Sequence, residues 1–528
     1  MRVLVVEAIA PEGIAWLRAR GFDVTELRKP TLAELHAALP DYEALITRSG
    51  TAVTAELLAH APKLRIVGRA GVGIDNVDVD ACSRRGIVVV NAPYGNVVSA
   101  AEHTVGMLLA LVRRIPEAHE RLKTLEWNRG IYGAELFRKT IGVVGLGKVG
   151  SRVAARLRGF EADVLAYDPF IPETRARDVG ARLVTDFDAL LRAVDVLTVH
   201  VPLTGETEAM VSARELAAMK RGVRIVNCAR GGIVHEGALL AALESGHVAG
   251  AAIDVWSEEP PASETVRRLV QHPRVVVTPH LGANSSEAQV NVAVDVARQL
   301  VAFRDGELVE HAVNIPIGDP AAVAELRPFV ALAERLGLFS VQLDPGHLER
   351  VEVTVAGAIG EADTELLARA VLAGLLRPVV ADPVNLVNAR LVARERGLDV
   401  SVERAEETGG YKSLLTLSTR TSEGRKIIAG TVFDGQPRIV RMRDLDMEFT
   451  PEGFILVLSY EDRPGVVGKI GTLLGRQNVN IASMQVGRRA KRGKAIVVLS
   501  LDEDLSAEQL GELRAEVEAD FARVVRLS

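Results

Sequence analysis

Cysteine is scarce: the 528 residues hold two, Cys82 and Cys228, far apart and in no CxxC pair. That excludes a disulfide framework or a thiolate metal cluster and fits a reducing cytoplasm, with no bound metal expected. No apolar run reaches the roughly 18 residues that a membrane helix needs. The opening Met1-Arg2-Val3-Leu4-Val5-Val6-Glu7 runs into a strand-like stretch without a signal-type apolar region, so no membrane partner is expected. Positive charge is not in excess either. Lys plus Arg number 63 against 69 Asp plus Glu, a net charge of −6, which argues against nucleic acid or an anionic membrane as a general partner. Any anion site must be local.

With 48% hydrophobic and 25% charged residues the chain reads as globular. At roughly 100 to 200 residues per domain its length predicts about three or four folded units. Strand-like β-branched runs at 3–6, 44–47, 64–67, 87–90, 141–144, 164–167, 196–200, 223–227, 251–254 and 275–278 alternate with Ala/Leu-rich helical runs. That alternation signals βαβ units, and ten strands are enough for two parallel-sheet α/β domains. Long apolar helices at 98–114 and 286–303 are placed to connect them. After Asn314-Ile315-Pro316 the pattern changes to a helix at about 321–342 and strands at 351–355, 414–418, 426–433 and 438–443, mixed with helices: an α+β domain. Past Thr450-Pro451-Glu452-Gly453 the tail reads β (454–459), α (465–476), β (480–487), β (495–501), α (507–519), β (524–527), a ferredoxin-like order.

Gly145-Leu146-Gly147-Lys148-Val149-Gly150 follows one strand and opens a helix, and Asp168 ends the next strand. A lone GxGxxG is weak, but this setting is the dinucleotide fingerprint. Gly145, Gly147 and Gly150 allow a tight turn and close approach of backbone to a pyrophosphate. Asp168 suits ribose hydroxyls and repels a 2′-phosphate, which favours NAD over NADP; read alone, it could be a turn residue before Pro169.

Three further segments end strands of the same half: Asn227-Cys228-Ala229-Arg230, Asp254-Val255-Trp256-Ser257-Glu258-Glu259-Pro260 and Thr278-Pro279-His280-Leu281-Gly282. They supply an arginine, carboxylates and a histidine at the sheet's carboxyl end, where ligands bind. Alcohol oxidation with NAD needs such a base and a cation for the adjoining carboxylate. By residue type alone, Arg230 could be a salt-bridge residue, Glu258 could replace Glu259, and His103 or His200 could be core or cofactor-side groups. His36, His60 and His119 read as helix-face residues.

The Gly-rich turn and the Arg230, Glu259, His280 spacing resemble the D-isomer-specific 2-hydroxyacid dehydrogenase family over about the first 310 residues. The resemblance implies His280 as acid/base, Glu259 as its partner and Arg230 as substrate anchor. It also implies a Rossmann-type NAD domain (98–284) inserted in a flavodoxin-like substrate domain (1–97 and 285–313), both doubly wound. Lys148, Val149, Cys228, Ala229, Asp254 and Gly282 join the cofactor set; a plain strand-end turn is the alternative for Asp254.

Thr47-Arg48-Ser49-Gly50-Thr51 and Gly68-Arg69-Ala70-Gly71-Val72-Gly73-Ile74-Asp75-Asn76 narrow the resemblance to the branch of this family that oxidises D-3-phosphoglycerate on the route to serine. There the backbone at Gly50 and Gly71 would hold the substrate carboxylate. Arg48, Arg69 and, from a neighbouring subunit, Arg129 would face its phosphate, although solvated surface arginines are the ordinary reading of each. Residues 314–450 resemble that branch's intervening regulatory domain, with Lys412, Arg438, Arg441 and Arg443 as candidate polyanion contacts or solvated faces. Ser459-Tyr460-Glu461-Asp462-Arg463-Pro464-Gly465 and Asn478-Val479-Asn480-Ile481, within 453–528, resemble an ACT domain. That implies an amino-acid effector, L-serine, at Tyr460, Asp462 and Asn480, and a homo-oligomer, a dimer of dimers, although helix capping alone would account for Asp462. The run 488–494 reads as a solvated hairpin turn. Two alternatives stay open: a glyoxylate or hydroxypyruvate reductase of the same family, and a non-catalytic NAD-sensing assembly protein.

Overall fold

The computed structural model describes residues 1–317, 323–343, 346–361, 364–381, 383–422 and 424–527. Among these described residues are four sheets. The first has five parallel strands in the order Asp23–Glu26, Arg2–Val5, Ala44–Thr47, Ile66–Arg69, Val88–Asn91. This is the flavodoxin-like order. The second has seven, in the order Val275–Val277, Val248–Ile253, Val223–Asn227, Val196–Val199, Thr140–Val144, Asp163–Tyr167, Arg182–Leu183, all parallel. Its order reverses between Thr140–Val144 and Val196–Val199, the switch point at which doubly wound sheets bind ligands.

These two sheets hold twelve strands rather than the ten expected. Asp23–Glu26 and Arg182–Leu183 are edge strands with almost no buried residue, so they carry no apolar run to read. The strand expected at 64–67 lies at Ile66–Arg69, because parallel pairing aligns Ile66 with Ala44 and Val88. That shift puts Arg69 at the strand's carboxyl end. Two helices cross between the lobes. Val97–Arg113 buries Ala101, Val105, Leu108 and Val112 against the second sheet. Ser286–Arg304, capped by Ser285 (Oγ accepts from Ala288 N, 3.1 Å), returns Val292, Val296 and Leu300 to the first. The hydroxyls of Ser99 and Ser285 pin the two crossings together at 2.6 Å.

The third sheet is mixed, in the order Asp399–Ala405, Leu348–Gly357, Ser413–Thr421, Gly424–Phe433, Gln436–Met442, Leu445–Phe449. Helices Val323–Leu343 and Thr364–Leu376 pack together beside it. Residues 321 and 322, at the expected start of the first of these helices, lie outside the described residues. The fourth sheet is antiparallel: Ile481–Arg488, Lys494–Leu501, Gly453–Glu461, Phe521–Leu527, with helices Val466–Arg476 and Ala507–Glu516. This is the ferredoxin-like arrangement.

One apolar cluster runs from Val5 and Ile46 of the first sheet through Leu336 and Phe339 to Ile455 and Val525 of the fourth. The tail is therefore docked rather than tethered. Its edge strand is paired by a side chain, since Gln342 Oε1 accepts from Arg526 N (3.0 Å) and Gln342 Nε2 donates to Arg526 O (2.8 Å). Among the described residues no helix is long and apolar enough to cross a membrane.

Candidate active site

The carboxyl ends of the first and second sheets face each other across a cleft. One open part measures about 520 Å³ and is lined by Tyr94, Val98, His103, Gly282, Asn284 and Ser285.

The Gly-rich turn has the geometry a pyrophosphate requires. Gly145 has φ +85°, and a Cβ there would lie 2.6 Å from His200 O. A Cβ on Gly150 would strike Gly145 O, whereas one on Gly147 would meet nothing within 4 Å and would fill the open cradle in front of helix Lys148–Arg158. Asp168 is turned toward this turn: Oδ2 accepts from Leu146 N (2.9 Å) and Oδ1 from Phe170 N (3.0 Å). Lys148 Nζ lies 4.0 Å from the Tyr94 ring centroid, across the cleft, and partial burial lowers its pKa. Val149 packs into the apolar cluster beneath. Ala229 N bonds Asn227 Oδ1 (3.1 Å), and burial beside Asp254 pushes the Cys228 thiol up to about 12, so it is a neutral wall. These residues fit a dinucleotide.

Asp254, fully buried, organises the opposite wall. His280 N donates to its carbonyl (2.8 Å). Its carboxylate accepts from Leu281 N (2.7 Å), Gly282 N (2.9 Å), Thr278 Oγ1 and, at 3.2 Å, His103 Nε2. Burial alone would raise its pKa, but the bonds from His103, Thr278 and Leu281 outweigh it and bring it to about 2. This anion holds residue 280 in a left-handed backbone, φ +57°. His280 Nδ1 then lies 2.9 Å from Glu259 Oε2, while Glu259 Oε1 accepts from Trp256 N at 3.1 Å. Of the two neighbouring glutamates it is Glu259 that meets the imidazole; Glu258 accepts from Ser263 N (2.7 Å). The Glu259 bond raises the His280 pKa against the opposing effect of burial. Glu259 itself is lowered, the bonds from His280 and Trp256 outweighing burial. His200, buried and bonded to Thr198 Oγ1 (2.9 Å), is drawn down to about 4 and is neutral.

Arg230 reaches across to the first lobe, with Nε donating to Asp75 Oδ2 at 3.1 Å. It lies close enough to oppose the charge of His280, and Arg69 in turn senses Arg230 and Arg48. His280, Arg230, Arg69 and Arg48 therefore form one connected set. Gly71 lies against the Arg69 guanidinium, which would have to move aside for a Cβ there.

The Gly50 and Gly71 amides expected to meet a substrate carboxylate are already engaged: Gly50 N with Glu7 Oε2 (3.0 Å), Gly71 N with Arg69 O (2.8 Å). The N–H groups of Val72 and Gly73 instead have no hydrogen-bond partner among the described residues, and Arg230 lies against Gly73. Neither amide was singled out from sequence; the glycine-flanked loop was the available signal. Arg129 is exposed and apart from this set, in a segment that also exposes Leu125, Trp127 and Tyr132. The effector candidates are not gathered into an open site. Tyr460 is buried, Asp462 is ion-paired to Arg488, and Asn480 Nδ2 donates to Asp502 Oδ2 (2.7 Å). Among the described residues no group of three His, Cys, Asp or Glu could hold a metal ion.

A doubly wound sheet with a dinucleotide turn, facing a carboxylate-paired histidine and an arginine, defines an NAD-dependent dehydrogenase acting on a CH–OH group. Residues 105–282 match the model of the D-isomer specific 2-hydroxyacid dehydrogenase NAD binding domain. Residues 325–443 match the D-3-phosphoglycerate dehydrogenase intervening domain, and 454–518 the ACT domain. D-3-phosphoglycerate dehydrogenase of Archaeoglobus fulgidus is 43% identical over 97% of both chains, and that of Bacillus subtilis 40% over 97% of both. Among solved structures, D-lactate dehydrogenase of Aquifex aeolicus complexed with NAD and lactic acid superposes with a TM-score of 0.52 at 29% identity. It covers 58% of this chain and 96% of its own. The chain belongs to the D-3-phosphoglycerate dehydrogenase family, within the D-isomer-specific 2-hydroxyacid dehydrogenases.

Proposed function

We propose that the protein oxidises D-3-phosphoglycerate at C2 to 3-phosphohydroxypyruvate, the first step of the phosphorylated route to L-serine. NAD supplies the hydride acceptor. His280, neutral at Nε2, takes the hydroxyl proton, and its bond to Glu259 fixes Nδ1 as the protonated nitrogen and stabilises the imidazolium that results. Arg230 holds the substrate carboxylate and polarises the C2 oxygen, joined by the free amides of Val72 and Gly73. Arg48 and Arg69, with Arg129 supplied by a second subunit, take the phosphate. The exposed apolar residues around Arg129 support a homo-oligomer, a dimer of dimers. The domains follow as 1–97 with 285–313 for substrate, 98–284 for NAD, 314–450 intervening and 453–528 for the effector, L-serine, which must displace Arg488 from Asp462.

The observation carrying this reading is the His280–Glu259 pair beside Arg230, whose charge Arg69 of the other lobe senses together with that of Arg48. The test is NADH formation with D-3-phosphoglycerate, D-glycerate and D-lactate. Turnover of the phosphorylated acid alone is expected. Turnover of unphosphorylated acids at equal efficiency would favour a glyoxylate or hydroxypyruvate reductase, and no turnover at all an assembly role.

A further inference from the structure

Glu7 lies just beyond the carboxyl end of strand Arg2–Val5, and nothing described above gives it a task. Its half-buried carboxylate sits inside residues 47–51. Oε1 accepts from Thr47 Oγ1 (3.0 Å), Arg48 N (3.0 Å) and Thr51 N (2.9 Å), and Oε2 from Gly50 N (3.0 Å). Three convergent N–H groups and a hydroxyl make an anion nest, and the chain has filled it with its own anion. The fit is close, since a Cβ on Gly50 would lie 2.9 Å from Oε2. Burial would raise the Glu7 pKa, but the bonds from Arg48, Gly50, Thr47 and Thr51 hold it below the usual carboxylate range, so it remains an anion.

The nest is wired to the rest of the site. Asn76 Nδ2 donates to Arg48 O and Thr51 O, both at 2.6 Å, and its neighbour Asp75 accepts from Arg230. Glu7 thus anchors one end of a hydrogen-bonded series that runs through both substrate loops to Arg230. A substrate anion has no room in this nest. What the nest sets is where Arg48 stands.

We propose that Glu7 is a positioning residue for substrate, an internal carboxylate that locks residues 47–51 so that Arg48, beside Arg69, meets the terminal phosphate. This rests on the phosphoglycerate reading above. If the wild-type protein fails to oxidise phosphoglycerate, that reading fails; if the wild type turns over and the Glu7 variants are unaltered, only the present inference fails.

The test is Glu7→Ala, which leaves the nest empty, assayed with and without millimolar formate. The KM for D-3-phosphoglycerate should rise on the order of tenfold or more, since misplacement by about 1 Å can cost up to 10²-fold. The KM for NAD and kcat at saturation should stay within about twofold, and formate should restore much of the phosphoglycerate KM by refilling the nest. An unchanged KM would overturn the proposal. So would a rise shared by the NAD KM that formate does not reverse, the mark of general loosening. Glu7→Gln keeps the size but turns an amide N–H₂ or a single oxygen toward four donors, and should give a smaller rise in the same KM. If Glu7→Ala does not fold, an unchanged KM in Glu7→Gln would overturn the proposal instead.

Discussion

The dehydrogenase cleft and the C-terminal module keep their candidate binding groups in opposite states. In the cleft, among the described residues, His280 presents Nε2 free while Nδ1 is held by Glu259, and the Val72 and Gly73 amides have no partner. In the module, Asp462 is bound to Arg488, Asn480 to Asp502, and Tyr460 is enclosed in the core. The groups of the cleft are reached by solvent and need give up only water to meet a ligand, so the cleft is prepared for its ligand in advance. Asp462 and Asn480 are satisfied and reach solvent, so a ligand there must exchange partners for a small net gain. The cleft is thus open to a ligand as it stands, whereas a ligand of the module would first have to break existing pairs.

Removing the cleft's base should produce the largest effect. His280→Ala is expected to lower kcat by roughly 10²- to 10⁴-fold, the usual range for a general base, with NAD affinity by fluorescence titration unchanged. An undiminished rate would remove His280 from the mechanism and the contrast with it.

Next in size is Glu259→Gln, expected to lower kcat by at least about tenfold, because the imidazolium loses its carboxylate. It also carries a pH signature. Oxidation needs neutral His280, and Glu259 raises the histidine's pKa, so the rate should rise with pH through a limb lying above the ordinary imidazole value. Without the carboxylate that limb should move to lower pH. A pH profile of kcat/KM that stays in place would show that Glu259 does not tune the base.

Asp168→Ala probes the cofactor wall. It should narrow the preference for NAD over NADP by about tenfold through loss of repulsion and of the ribose contact, measured as the ratio of kcat/KM values. An unaltered ratio would reduce Asp168 to a turn residue serving Leu146 and Phe170.

The smallest effect is expected in the module. Arg488→Ala frees Asp462 from an exposed ion pair, so half-inhibition by L-serine should shift downward by no more than roughly fivefold. The uninhibited rate should not change. An unchanged response would mean that the Arg488 pair does not guard an effector site. A point variant is the right tool, because deleting 453–528 would also uncover the apolar face that Ile455 and Val525 share with Phe339.

Much of this was legible in the chain. The fingerprint at 145–150 with Asp168, and Arg230, Glu259 and His280 at strand ends, could be read because each depends on local order: a strand, a turn, a helix start. The crossing helices were legible to within a residue or two, since long apolar runs leave a periodic trace. The edge strands Asp23–Glu26 and Arg182–Leu183 were not, because strands with little burial need no pattern. Glu7 was invisible for another reason. Its partners are 40 to 44 residues away, joined only when Arg2–Val5 and Ala44–Thr47 lie side by side. The same holds for the free amides of Val72 and Gly73, which are defined by bonds the folded loop does not make.

By itself, then, the sequence determined the class of chemistry, the cofactor and the fold class, because these follow from residue types at fixed local spacing and from periodicity. Tertiary structure alone decided which groups remain available to a ligand. Availability depends on what the rest of the chain has already bonded: Glu7 closing the amides around Gly50, Arg488 closing Asp462, Gln342 closing the edge of the last strand, and Glu259 leaving one nitrogen of His280 open.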